Sequence, residues 1–198
     1  MHPSGTTRGG LMTKAPSDDH KRLLEAAFAF AETGDLAALD PTRLAQRANV
    51  TRAIAESCFG DRQELLIAVH REFQERLLAR YSRQVGTGDP GMARLQQGIC
   101  ALLDYSLRHV SLRRQLLALA PYVPELSKQA DSGRADFRFA LSAELSALGI
   151  ANRVDVARML RALIEELADI EMEEGHPQAD LRQGLWLFLE IHLKSQGQ

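Results

Sequence analysis

Residues 40–62, DPTRLAQRANVTRAIAESCFGDR, decide how this chain is read. Asp40 is a good N-cap, and Pro41 stands where a first-turn proline loses no hydrogen bond. Leu44, Ala45 and Ala48 share one face of the short helix that follows. Asn49 suits a left-handed turn, although glycine enters that conformation more easily. Thr51 then caps a second helix with Ile54, Ala55 and Phe59 at helical spacing. Ala45 is small enough for the two helices to cross closely, and Val50 fills the corner. Phe59-Gly60 ends the second helix. Asp61-Arg62-Gln63-Glu64 has the capping-box pattern, with Asp in place of Ser or Thr, and opens a longer helix. Two short helices around a tight turn form a helix-turn-helix, whose second helix enters the DNA major groove. By pattern alone, the same residues also suit a helical corner in any α-helical protein.

Outward from this pair the chain reads as helix after helix. Residues 20–33 carry a stripe of Leu23, Ala27, Phe30 and Ala31, widened by Leu24 and Phe28. Residues 62–85 form a long helix with Leu65, Leu66, Val69, Phe73, Leu77 and Tyr81 at spacings of three and four. The run Gly86-Thr87-Gly88-Asp89-Pro90-Gly91 is the clearest break in the chain. Helices are expected over 92–109, 112–120, 125–148 (with Gly133 as an interruption), 153–174 and 179–194. No strand pattern and no repeat is present. The fold class is therefore all-α. Three domain segments are expected: a disordered arm at 1–19, a helix-turn-helix domain at 20–66, and a helical domain at 67–198. The arm is rich in Gly, Ser, Thr and Pro and reads first as a free tail, with Arg8 and Lys14 brushing phosphates only in a DNA-bound reading, and Met12 offers an alternative start.

Between residues 21 and 73 the chain resembles the DNA-binding domain of TetR-family transcriptional repressors. The resemblance rests on Leu23-Leu24-Glu25-Ala26-Ala27 and Gly34 in the first helix. It continues through Leu44-Ala45-Gln46-Arg47-Ala48-Asn49-Val50 and Thr51-Arg52-Ala53-Ile54-Ala55-Glu56-Ser57-Cys58-Phe59. Gly60-Asp61-Arg62-Gln63-Glu64-Leu65-Leu66 matches the opening of the family's fourth helix. By motif this covers about a quarter of the chain. Four positions depart from the family pattern. Glu56 stands where the family has a phosphate-contacting tyrosine, Ala55 replaces the preceding leucine, Asn49 replaces the turn glycine, and Gly34 lies one place from its gapless position at Asp35.

The resemblance implies a ligand-responsive, homodimeric repressor that binds double-stranded DNA at a palindromic operator and is released by a small apolar effector. Thr42, Arg43, Thr51, Arg52 and Arg62 would contact phosphates or position the recognition helix. Ala53, Glu56 and Ser57 would face the bases, Glu56 accepting from a cytosine amino group. Helices between 92 and 159 would enclose the effector, with Leu95, Ile99, Leu103, Leu107, Tyr122, Phe137, Leu141, Met159 and Leu163 as candidate walls. Arg108, His109 and Arg113 are candidates to steady an anionic ligand. The last helix is apolar around most of its surface, with Leu181, Leu185, Trp186, Phe188, Leu189 and Ile191, and so needs partners on two sides. A second copy of the chain is the expected partner, through Leu160, Ile164, Leu167, Leu185, Phe188 and Ile191.

Composition bounds these readings. The hydrophobic fraction of 45% is ample for a core, and the formal net charge is −2. Residues 1–85 hold 12 Lys/Arg against 11 Asp/Glu, so DNA binding must rest on local placement of Lys21, Arg22, Arg43, Arg47, Arg52 and Arg62. Cys58 and Cys100 have no metal spacing and read as free thiols in a reducing cytoplasm. No run of about 18 apolar residues would span a membrane, and no signal-peptide core opens the chain. The six histidines lack HxxxH or HExxH spacing. The Glu173-x-x-His176 pair falls in a Gly-Pro turn, and no phosphate loop or nucleophile elbow is present. The expectation is neither an enzyme nor a metal or cofactor protein. A second function class stays open: the same fold with lost or altered DNA binding, acting as a partner-binding or ligand-sequestering module, motivated by Glu56, Ala55 and the near-neutral charge.

Overall fold

A computed structural model describes residues 18–86 and 88–196, with side chains through 192. Among the described residues there are nine α-helices and no strand: α1 Asp18–Thr33, α2 Pro41–Ala48, α3 Arg52–Phe59, α4 Arg62–Val85, α5 Met92–Arg108, α6 Val110–Leu119, α7 Pro124–Ala147, α8 Arg153–Glu174 and α9 Ala179–Gln196. Two 3-10 turns, Leu36–Ala38 and Ala120–Tyr122, were not expected from the sequence. Helix α7 runs unbroken through Gly133. That glycine sits where Gln74 of α4 lies against α7, and an added Cβ would come within 3.0 Å of the Gln74 amide oxygen. Of the arm expected at 1–19, Asp18 and Asp19 open α1, while residues 1–17, with Arg8, Met12 and Lys14, lie outside the described residues.

Two buried apolar clusters organise the chain. The first gathers α1, α2, α3 and the first half of α4 around Leu23, Ala27, Leu44, Phe59, Leu65 and Val69. It is completed by Tyr105, Leu112, Leu116 and Leu126 from α5, α6 and α7. The second gathers the far half of α4 with α5, α7, α8 and α9 around Tyr81, Ile99, Leu103, Leu145, Leu160 and Leu189. Helix α4 belongs to both. The long helix expected at 62–85 is thus a shared wall, and the N-terminal core does not close without α6. No helix among the described residues is long and apolar enough to cross a membrane.

Candidate nucleic-acid interface and ligand cavity

Helices α2 and α3 are set by their caps. Asp40 accepts a hydrogen bond from the Arg43 amide at 2.8 Å, with Pro41 in the first turn of α2. Asn49 closes that helix in the left-handed conformation, φ 52 and ψ 50. The Val50 amide donates to the Ala45 carbonyl at 3.0 Å. Thr51 Oγ1 accepts from the Ile54 amide at 3.3 Å and starts α3. Gly60, at φ 61, donates back to the Glu56 carbonyl at 2.7 Å and ends it. Asp61 then caps α4 through the Glu64 amide at 2.9 Å. The residues between the two helices are small and hidden: Ala45, Ala48 and Ala55 are buried, as is Phe59.

What α3 leaves outside is Arg52, Ala53, Glu56 and Ser57, all exposed, with exposed Thr51 at its head. Arg52 Nε donates to Glu56 Oε1 at 2.6 Å across one helical turn. The sequence reading missed this pair, although its spacing of four was visible. Of the other candidate DNA-contacting residues, Thr42 is half-buried, and Arg43 is exposed with Nη1 donating to the Ala38 carbonyl at 3.1 Å. Arg62 is exposed beside the Asp61 cap. Two further cations of the motif are engaged internally. Arg22 reaches from α1 to the carbonyls of Ala48 and Asn49 at 2.9 and 3.3 Å and holds the turn. Arg47 lies 4.5 Å over the Phe30 ring.

A cavity of about 320 Å³ opens between α4, α5, α6, α7 and α8. Its apolar wall is Phe73, Leu77, Leu78, Leu102, Leu116, Leu117, Phe137 and Ile164. Phe137 is the one residue expected on the wall that lines it. Leu95, Ile99, Leu103 and Leu141 are fully buried in the second core instead, and Leu107 is half-buried off the cavity. Tyr122 is 83% exposed on a 3-10 turn, and Met159 and Leu163 face outward from α8. The interface expectation needs the matching correction. Leu160, Ile164, Leu167 and Leu185 are buried within the chain, and Ile164 reaches the cavity. Phe188 is half-buried, and Ile191 is 67% exposed. The cause is geometric. One position on a helix is a rotation of about 100°, and α8 carries apolar residues at 159 and 160 and again at 163 and 164. Periodicity locates two stripes there and does not say which one faces in.

Of the cavity's polar groups, Arg113 was expected near a ligand and His70 was missed. His70, buried on α4, lines it, and its Nδ1 has no hydrogen-bond partner. Burial, with help from the nearby Arg134 charge, lowers the imidazole pKa to about 4. Arg113 lines the cavity from α6, but it is spent on Asp169, the Ala168 carbonyl at 2.8 Å and the Met172 sulfur. Its expected partner Arg108 lies in a separate, polar groove with Arg80 and Arg83. His109 faces Glu32 at 3.3 Å instead.

Helix α6 spans from this cavity to the N-terminal unit. Arg113, Leu116 and Leu117 line the cavity. From the same helix, Ser111 Oγ and Gln115 Nε2 donate to the Ala31 carbonyl at 2.6 and 2.7 Å. The Leu36 amide donates to Gln115 Oε1. The last turn of α1 therefore hangs on α6.

No family model matches the sequence, and no curated protein matches it. Solved structures do. A transcriptional regulator from Rhodococcus sp. Rha1 superposes with a TM-score of 0.72 at 25% identity, covering 89% of this chain and 96% of that one. A putative TetR-family transcriptional regulator from Mesorhizobium loti gives 0.72 at 17% identity, covering 92% and 98%. The SmeT–triclosan complex gives 0.67 at 20% identity, covering 90% and 91%.

Proposed function

We propose that this chain, which has the fold of the TetR-family transcriptional regulators, is a homodimeric, ligand-responsive DNA-binding regulator of the cytoplasm, acting as a repressor. The helix-turn-helix unit is the DNA-binding domain, and the helices from α4 onward bind the effector and the second copy. The observation that carries the reading is α6, whose one side lines the cavity and whose other side grips the end of α1. An effector that fits the cavity better in one setting of α6 shifts the position of the DNA-binding unit by its differential affinity.

In this reading the exposed face of α3 enters the major groove, with Ala53, Glu56 and Ser57 toward the bases and Thr42, Arg43, Thr51, Arg52 and Arg62 toward the backbone. The second copy packs on the apolar residues left outside: Met159 and Leu163 on α8, and Leu187 and Ile191 on α9. A two-fold pair presents two copies of α3 to a palindromic site.

The second reading, a module of this fold with altered DNA binding, is favoured by the Arg52–Glu56 pair, which neutralises the one cation on the outer face of α3. One experiment separates the two. The protein is titrated onto duplex DNA flanking its own coding region, against a scrambled duplex, at two salt concentrations. Tight, sequence-dependent and salt-sensitive binding is expected for the regulator. Arg52→Ala should weaken it by at least tenfold while the dimer persists by light scattering. Equal, weak binding to both duplexes, strengthened by Glu56→Tyr, would favour the second reading.

A further inference from the structure

We infer that the cavity selects an uncharged amphipathic ligand, an apolar body carrying one hydroxyl or similar neutral hydrogen-bonding group, which is recognised by His70. The inference rests on the cavity being the effector site.

Size comes first. At about 30 Å³ for each water-sized unit, 320 Å³ holds roughly ten non-hydrogen atoms. The aliphatic and aromatic wall described above excludes a ligand that is polar throughout.

Charge comes next. A ligand charge inside such a space needs a counter-charge, because desolvating a lone ion is costly. The buried lining offers none. Arg113, the most enclosed cation, already holds Asp169 and the Ala168 carbonyl. Glu165 is paired with Arg161 from the same helix. Arg71, Glu75, Arg134 and Asp136 border the cavity at solvent-exposed positions, two of each sign, where water screens them. Neither a carboxylate nor an ammonium finds an enclosed partner.

Of the neutral polar side chains on the lining, Gln74, Ser106, Gln129 and His70, the one with a buried atom lacking a partner is His70. It is 6% exposed, and its Nδ1 is shut from solvent without a partner. A neutral imidazole is both a donor and an acceptor. A buried polar nitrogen without a partner is a standing cost in the empty protein, and a ligand hydroxyl reached by rotation of the ring removes it. An apolar molecule with no such group would leave the cost in place.

Four ten-carbon probes test this on the full-length protein: decan-1-ol, decanoate, decylammonium and, as the apolar reference, decane. Calorimetric titration and thermal melts are the readouts. Decan-1-ol is expected to bind at least tenfold tighter than either ion and about fivefold tighter than decane. In His70→Leu the preference for the alcohol over decane should vanish, and the melting temperature of the unliganded protein should hold or rise. Decanoate or decylammonium binding as tightly as the alcohol would overturn the neutral-ligand assignment and leave the effector site standing. An undiminished alcohol preference in His70→Leu would overturn the role of His70. Failure of all four probes to bind would remove the effector site itself, and the inference with it.

Discussion

The N-terminal unit, α1 to α3, and the body, α4 to α9, are held together by different means. In the first, short helices are fixed locally. Asp35, Asp40 and Thr51 each accept from an amide two or three residues on, and Asp61 does so where the body begins. In the body, α5, α6, α7 and α8 start without any side-chain cap. Their ends and faces are fixed across helices, by Arg94 on Glu144 at 2.6 Å, Arg113 on Asp169, and Arg182 on Glu171 and Asp104. The buried polar residues His70, Ser106 and Glu171 all lie in the body. An eight-residue helix is far too short to persist alone, so α2 and α3 need caps. Helices of 17 to 24 residues, such as α5 and α7, settle by packing instead. Local support is written in adjacent residues, and packing is not.

The largest effect should come from Phe59→Ala. The ring is 2% exposed between α1, α3 and α4, and its loss should cost about 3–5 kcal/mol. This variant also asks whether the two regions are separate units. Leu112, Leu116 and Leu126 complete the N-terminal core from the body, so one cooperative transition is expected. Trp186, the single tryptophan, packs against the second core on α9 and reports the body. Urea unfolding followed by helical signal and by Trp186 fluorescence should give coincident curves, both shifted. An early loss of helix with Trp186 unmoved would mean that the N-terminal unit stands alone.

The counterpart in the body is Glu171→Ala. Glu171 is 1% exposed. It accepts from Arg182 Nε at 2.7 Å, from Arg182 Nη2 at 2.8 Å and from the Gln178 amide at 3.0 Å. It thereby ties the α8–α9 turn to α9, while Arg182 also reaches Asp104 on α5. Removing it should cost about 3 kcal/mol near pH 7. Burial by itself would raise the carboxyl pKa, but the bonds from Arg182 and Gln178 outweigh it, and the net shift is downward. A depressed folded-state pKa means stability that is present above the unfolded value of about 4.3 and lost as pH falls through the folded one. The gap between wild type and Glu171→Ala should therefore close below about pH 4. A gap that is constant with pH would assign the loss to packing.

The same contrast explains what the sequence made legible. Asp40, Pro41, Thr51, Gly60 and Asp61 announce their roles by type and position, and the structure puts α2 and α3 where those residues mark them. The buried stripe of α1 was equally readable, because α1 has one apolar side. Helix α8 has two. Met159 and Leu163, expected on the cavity wall, face outward, while Leu160, Ile164 and Leu167, expected at the interface, face in. Which stripe is covered depends on α5 and α7, and no window of residues around 160 contains that information. The role of His70 and the paired state of Arg113 were hidden for the same reason. His70 sits in a run of apolar residues on α4 and becomes distinctive only once α7 brings Arg134 near it. The paired state of Arg113 depends on Asp169, 56 positions away.

The smallest effect tests the local side of the contrast most directly. Asn49 is the only non-glycine residue at positive φ among the described residues. Alanine there has no side-chain group to ease the left-handed conformation, and Asn49→Ala should cost about 1 kcal/mol. Glycine enters that region freely but is looser in the unfolded chain, so Asn49→Gly should stay within about 0.5 kcal/mol of wild type. Paired urea curves for the two variants measure the difference. The rival support is Arg22, which clamps the same turn through the carbonyls of Ala48 and Asn49. Were Arg22 the stronger restraint, Asn49→Ala would match Asn49→Gly and Arg22→Ala would carry the loss. The turn would then be held by α1 rather than by its own residue, and even this most local element of the N-terminal unit would owe its shape to packing.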